Sequence, residues 1–317
     1  MLQRPNNRSI QDCTVLIVDD QASSRLVIYT LLEELVNCDQ VASAQEALEY
    51  CSEAPPDLIL MDVFMPMMDG HEACKKLSIN PKTQHIPVIF VTGSVSDAEQ
   101  EKCWNAGGVD FVQKPVNATT LINRVKSHLT HKLKTDLLEH LIYTDRLTGS
   151  FNRHYLEDTL PDITRDANRD ASPLSLAIFD VDFFKQYNDE YGHIEGDTCL
   201  WRLSKALKEA LLRPMDRLIR AGGEEFLILL PDTDEAGAST VCDRVVSTIR
   251  QLAIPHMKSP FEFVTVSAGA ATYNPSSTTT IDDTMLKADQ CLYKAKGNGR
   301  NTYTYVDATG HIRDKDQ

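Results

Sequence analysis

The chain has 317 residues, 42% of them hydrophobic, and a formal charge of −14, which is enough apolar material for two ordinary domains. Residues 1–116 hold 8 basic against 17 acidic side chains and the remainder 24 against 29, so neither half offers the positive footprint of a nucleic-acid binder and no DNA partner is expected. No apolar run approaches a membrane span, the polar start Met1 to Cys13 reads as a flexible N-terminus without a signal-peptide core, and the eight scattered cysteines form no C-x-x-C pair, so a cytoplasmic protein with reduced thiols and no membrane partner is expected.

The first elements in chain order are short apolar strands that deliver polar groups at their ends. Thr14 to Val18 lead to Asp19-Asp20, Leu58 to Met61 to Asp62, Val88 to Val91 to Thr92, and Phe111-Val112 to Lys114-Pro115. Helix-like stretches alternate with them, roughly Gln21 to Leu35, Ala44 to Ser52, Gly70 to Leu77 and Asp97 to Ala106. That order predicts an α/β fold, a doubly wound parallel sheet of about five strands with a cleft at its carboxyl edge. Three carboxylates, a hydroxyl and a lysine at one edge suit phosphorylation of an aspartate: Asp19 and Asp20 hold Mg²⁺, Asp62 attacks a phosphoryl group, and Thr92 and Lys114 bind its oxygens. This half, residues 14–129, resembles the receiver domain of two-component response regulators, with Asp62 to Gly70 and Lys114-Pro115 especially characteristic. The resemblance implies one Mg²⁺ at this site and a histidine kinase or phosphotransfer protein as partner. It makes Phe111 the aromatic that reorients with Thr92, although a plain core aromatic fits Phe111 equally well.

From Asn117 to Tyr143 there is no Gly or Pro, and Leu121, Val125, Leu129, Leu133, Leu137 and Leu141 recur every fourth residue, widened by Ile122 and Leu138. One continuous linker helix over 117–143 is predicted, its stripe serving either a short coiled coil or its own domain.

Further on, the apolar run Leu174 to Phe179 delivers Asp180-Val181-Asp182 and then Lys185, and Gly222-Gly223-Glu224-Glu225-Phe226 sits between two apolar runs. Two glycines supply the positive φ angles of a hairpin turn and leave room for a phosphate; the pentapeptide alone is equally an ordinary solvated turn. If the strand lies beside the hairpin, Asp180 and Glu224 share a metal pair suited to phosphoryl transfer, and Lys185 adds a mobile charge for the phosphates.

These segments resemble the GGDEF domain of diguanylate cyclases. So do Asp145 to Gly149 with Asn152-Arg153, Asn188-Asp189, Gly192-His193, Gly196-Asp197, Val266 to Gly269 and Lys294 to Asn301. The resemblance implies a second α/β domain over 144–307, nucleotidyl-cyclase-like (palm-type) with a mainly antiparallel central sheet, followed by a flexible tail, 308–317. By resemblance Asp180, the Val181 carbonyl and Glu224 ligate two Mg²⁺, with Glu225 close by. Glu224 is the general base for the ribose 3′-hydroxyl, Lys185 stabilises charge on the phosphates, and Lys296 and Arg300 hold the triphosphate of GTP. Asn188 and Asp197 read guanine; a carboxylate at 197 accepts from the N1 and N2 hydrogens that adenine lacks, which argues against another base preference. Arg213 and Asp216, five residues or more before the hairpin, stand where the family places an inhibitory product site, with Arg244 as an additional arginine. Two departures are Ala221, where an aromatic is usual, and Ser150, where a leucine is usual.

The expected function is a phosphorylation-regulated diguanylate cyclase with product feedback inhibition, working as a homodimer because cyclic di-GMP is two-fold symmetric. The alternative is a catalytically silent cyclic di-GMP receptor using Arg213 and Asp216.

Overall fold

The computed structural model describes residues 8–80, 82–93 and 96–315, and the chain divides into two units inside one helix, between Glu139 and His140. The first unit runs β1 (Thr14–Val18), α1 (Ala22–Leu32), β2 (Asn37–Val41), α2 (Ala44–Glu53), β3 (Leu58–Asp62), α3 (Gly70–Ile79), β4 (Val88–Thr92), α4 (Asp97–Asn105), β5 (Asp110–Gln113) and α5 (Ala118–Tyr143), which continues past the division. Its sheet order is β2-β1-β3-β4-β5, every pair parallel. β3 and β4 are buried at all five positions, as a parallel strand covered on both faces must be. Ser43 and Asp69 cap α2 and α3 by accepting from the Glu46 and Glu72 amides, which satisfies amides that the helix cannot. This is the doubly wound five-stranded sheet expected.

The N-terminus differs from the flexible segment expected for residues 1–13. Residues 1–7 lie outside the described residues, but Ser9 and Asp12 close a capping box around the short 3₁₀ turn Ile10–Asp12. Arg8 pairs with Asp57 at 2.7 Å, and Cys13 is fully buried. A buried side chain and a long-range ion pair hold what composition alone reads as loose.

The segment expected as a linker helix over 117–143 is the helix α5 (Ala118–Tyr143), and its apolar stripe has two environments. Leu121, Val125 and Leu129 are fully buried in the core of the first unit, with Ile122 and Leu133 packed at its edge. Leu137, Leu138, Leu141 and Ile142 are exposed.

The second unit contains β6 (Phe151–Asn152), α6 (Arg153–Asp170), β7 (Leu174–Val181), α7 (Phe184–Tyr191), α8 (His193–Ala210), β8 (Arg217–Gly222), β9 (Glu225–Pro231), α9 (Glu235–Gln251), β10 (Val266–Tyr273), α10 (Ile281–Gly297), β11 (Tyr303–Val306) and β12 (Ile312–Asp314). The seven-stranded sheet has the order β12-β11-β10-β7-β9-β8-β6. It is mainly antiparallel, the parallel pairs being β10–β11 and β6–β8. Its larger core packs Phe179, Phe226, Ile228 and Ala268 against apolar positions of α8 and α9. On the other side α10 lies close against β10, where Gly269 has no room for a side chain: a Cβ there would overlap the Leu292 amide nitrogen and the Ala288 carbonyl oxygen.

The tail is a second correction. Residues 316 and 317 lie outside the described residues, but Ile312 to Asp314 pair antiparallel with β11. Asp307 ties the turn by accepting from the amides of Thr309 and His311 and from Arg313 Nε, so 308–315 is an ordered hairpin.

All eight cysteines are free, and seven of them are buried. Among the described residues no helix is long and apolar enough to cross a membrane.

Gly269→Ala is expected to destabilise the second unit by about 1–3 kcal/mol or more, the cost of overpacking against rigid backbone, read as a lower urea midpoint for the transition of that unit.

Candidate functional site

In the first unit the polar groups expected at strand ends converge. Asp19 and Asp20 follow β1, Asp62 ends the adjacent β3, Thr92 ends β4, and Lys114 follows β5. Asp19, Asp20 and Asp62 each offer an oxygen within 4.8 Å of the others, a set of hard donors that fits a divalent cation. Lys114 Nζ lies 2.7 Å from Asp19 Oδ2 and 3.0 Å from Asp62 Oδ1. Burial works against its charge, but these two partners more than offset that and leave the ammonium raised. Burial pushes the Asp62 carboxyl up; Lys114 opposes the shift and the Asp19 charge adds to it. Thr92 is buried. Phe111 is half-buried, with the Trp104 ring at 6.2 Å and the Arg124 guanidinium over its face at 5.7 Å, so it is part core and part surface.

In the second unit β7 is flanked by β9 and β10, and the register sets Asp180 opposite Glu225 on one side and Ser267 on the other. The Val181 amide donates to the Glu224 carbonyl at 3.4 Å. Burial raises the Glu225 carboxyl, and the facing Asp180 charge raises it further. A cation between them would relieve that repulsion, and the donors are hard oxygens, so the residues fit Mg²⁺. Asp180, Glu224 and Glu225 are not drawn together as closely as the receiver trio; Asp180 pairs instead with Lys296 at 2.9 Å. Lys296 lies in the last turn of α10, and Arg300 follows it with its guanidinium 4.7 Å from the centre of the Phe183 ring. Lys185 is exposed in the first turn of α7.

Asn188, in α7, has a buried side-chain oxygen with no hydrogen-bond partner. It approaches so near Gly196 in α8 that a Cβ at 196 would overlap that oxygen. Asp197 follows, exposed to solvent.

Two residues that were not among the sequence-predicted site residues tie the site's elements together. Arg220 donates from Nε and Nη2 to the Gly223 carbonyl at 2.9 and 2.7 Å, and from Nη1 to Asp145 at 3.0 Å. Burial would raise Asp145, but donors from Thr148 and Arg220 outweigh it and hold the carboxyl below its ordinary value. The hairpin tip is thereby tied to the turn that precedes β6. Ser150 fits this turn without the usual leucine, because its hydroxyl pairs with Thr148 at 2.7 Å while fully buried. Ala221 is half-buried beside the strand irregularity between Arg220 and Gly222. The second is Asp182, a buried carboxylate just beyond β7. Only the acidic run around it signals its presence in the sequence.

The Arg213 to Asp216 turn borders a cavity of about 380 Å³ also lined by His140, Thr144, Ser150 and Lys208. Both Asp216 carboxylate oxygens are buried without a partner. Burial pushes this carboxyl up against the pull of Arg213, Arg244 and Arg217. Arg213 Nη1 donates to Thr233 Oγ1 at 2.7 Å, and Arg244 Nε to the Ala210 carbonyl at 2.7 Å.

Comparison with known proteins finds the family model described as "Diguanylate cyclase, GGDEF domain" over residues 142–302 and the response regulator receiver domain over 15–126. Response regulator PleD of Caulobacter vibrioides is 30% identical over 90% of this chain, which spans 64% of that protein's length. Diguanylate cyclase DgcS of Shewanella oneidensis is 36% identical over half of this chain and 51% of its own. The structure of diguanylate cyclase SiaD from Pseudomonas aeruginosa, solved with its activator SiaC, matches with a TM-score of 0.50 and 35% identity over 60% of this chain and 70% of that one.

A folded-state carboxyl raised above its unfolded value of 3.8 confers stability at low pH that is lost as pH rises through the folded value. Asp62→Asn is therefore expected to raise the urea midpoint at pH 7 and to flatten the pH dependence of stability above pH 4.

Proposed function

The chain belongs to the GGDEF domain family, with a receiver domain ahead of the catalytic module, and on that footing we propose that it is a diguanylate cyclase controlled by phosphorylation of Asp62. Two GTP become cyclic di-GMP and two pyrophosphates. The observation that carries the reading is the register of β7 and β9, with Asp180 opposite Glu225 and Glu224 beside them, next to the cation Lys296.

In each half-reaction the ribose 3′-oxygen of one GTP attacks the α-phosphorus of the other, and the bond to the pyrophosphate oxygen breaks. Glu224 takes the 3′-hydroxyl proton. Lys185, Lys296 and Arg300 hold negative charge on the phosphates and leaving group, so most of the acceleration comes from positioning and electrostatics. Asp180, the Val181 carbonyl, Glu224 and Glu225 would hold two Mg²⁺, and Asp19, Asp20 and Asp62 one. Bound there, the ions supply charge neutralisation at the attacking oxygen and the phosphates. Asn188 and Asp197 recognise guanine, and the partnerless Asn188 oxygen is an acceptor suited to its N–H edge.

Phosphorylation by a histidine kinase or phosphotransfer protein would act through pairing of two copies, because a two-fold product needs two facing sites. The exposed leucines of α5 supply apolar surface for that pairing. Cyclic di-GMP itself would bind at Arg213, Asp216 and Arg244 and inhibit. The buried, partnerless oxygens of Asp216 support a ligand with paired N–H donors, and they equally favour the second reading, a receptor without catalysis.

Chromatography of products from GTP and Mg²⁺ separates the two readings. Wild type is expected to form cyclic di-GMP, and more of it with beryllofluoride; Glu224→Ala should lose about 10²-fold or more of the rate. Cyclic di-GMP binding without turnover in any condition would select the receptor.

The crowding at Gly196 gives a second test. Gly196→Ala must push Asn188 aside and is expected to weaken GTP binding about tenfold or more, since a lost polar reader at a built site costs at least 1.4 kcal/mol. A calorimetric titration with a non-condensing GTP analogue checks it.

A further inference from the structure

We propose that Asp182 is the internal anion that fixes the turn carrying Arg300 and following Lys296, and is thereby a positioning residue for the polyphosphate end of the nucleotide. The inference rests on the cyclase reading above. Asp182 has a side chain with no exposure at all, and no step of the chemistry uses it.

Its carboxylate is fully engaged. Oδ1 accepts from Ser267 Oγ at 2.7 Å, and Oδ2 from Thr265 Oγ1 at 2.7 Å and from the Asn301 amide at 3.0 Å. Its own amide donates to the Thr265 carbonyl at 2.9 Å. One residue therefore joins the end of β7, the start of β10 and the loop after α10.

That loop has a costly backbone. Gly299, Arg300 and Asn301 take φ values of 106°, 66° and 51° in succession. Left-handed conformations at residues with side chains, Arg more than Asn, are strained and persist only where surroundings over-determine them. Here the Arg300 amide donates to the Ala295 carbonyl at 3.2 Å, and the Asn301 amide to Asp182.

The same short stretch of chain sets where the two cations stand. Arg300 Nε is 4.0 Å from Asp182 Oδ1, its guanidinium covers Phe183, and Lys296 pairs with Asp180. Replacing the carboxylate by a carboxamide removes the charge that faces Arg300 and leaves one oxygen to accept where there were two, with an N–H₂ group against a hydroxyl that can itself accept. The turn is held by weaker, uncharged hydrogen bonds and the cations lose their counter-charge, while Asn188 and Asp197 on α7 and α8 are untouched.

The test compares full-length wild type with Asp182→Asn by calorimetric titration in Mg²⁺, using two probes. One is GMP, which presents the guanine and a single phosphate. The other is a GTP analogue with a methylene between the α- and β-phosphorus, which presents the whole tail and cannot condense. Wild type should prefer the analogue. Asp182→Asn should bind the analogue about tenfold more weakly, 1.4 kcal/mol, with GMP affinity unchanged, and the loss should fall short of additive with Arg300→Ala.

A general loss of structure would weaken both probes equally. That result, or a preference kept in full, overturns the role of Asp182. A wild type without preference for the triphosphate overturns the nucleotide reading and this proposal with it. If Asp182→Asn does not fold, Ser267→Ala removes one donor from the carboxylate and is read by the same ratio, with a fall of about threefold expected.

Discussion

β7 is paired along its length on both sides, and the chemistry of the second unit depends on where its C-terminal end falls. Eight registered positions face β10 and seven face β9, and a one-residue slip on either side would send every side chain to the opposite face of the sheet, into a core shaped for another residue. Leu174, Leu176, Ala177 and Phe179 are all fully buried, so the penalty for slipping is paid in the core. Because the strand cannot slide, Asp180 emerges beside Glu225, and Asp182 emerges among the donors of β10 and the loop beyond α10.

The hairpin tip is held differently. Its glycines have φ values of 157° and 53°, which permits the turn without fixing it. Arg220 supplies what the glycines cannot: it grips the Gly223 carbonyl and is itself gripped by Asp145. A strand-borne carboxylate and a tethered tip thus meet with little freedom on either side, which is the preorganisation that charge stabilisation needs.

Much of this architecture was legible in the amino-acid sequence. Apolar runs that end in carboxylates identify β1, β3 and β7, and two glycines between apolar runs identify the β8–β9 turn. β2, with the sequence Asn-Cys-Asp-Gln-Val, could not be read that way: it is a mostly polar edge strand whose partner β1 defines it. The ordered termini were hidden for a similar reason, since the Arg8–Asp57 pair and the Asp307 turn are contacts that composition does not encode. Asp182 is the clearest case. Its acceptors serve residues 83, 85 and 119 positions away, so an acidic run in the sequence becomes one carboxylate beside the hairpin and one fully buried, hydrogen-bonded carboxylate only when the sheet is formed. Among the sequence-named residues, the register that sets Asp180 opposite Glu225 and its pairing with Lys296 likewise depend on tertiary placement.

The burial of the cysteines has a practical corollary in thiol reactivity. Desolvation pushes Cys38, Cys51, Cys103 and Cys291 up to about 11 and Cys74 and Cys199 to about 12, with Cys13 and Cys242 raised as well. Alkylation and oxidation both proceed through the thiolate, so at neutral pH the native chain presents eight sulfurs and almost no nucleophile. A cysteine introduced at an exposed position of α5, such as Leu137 or Leu141, would be the one fast-reacting thiol against a silent background. A spectroscopic label could then be placed on the linker helix without first stripping the protein of its own cysteines.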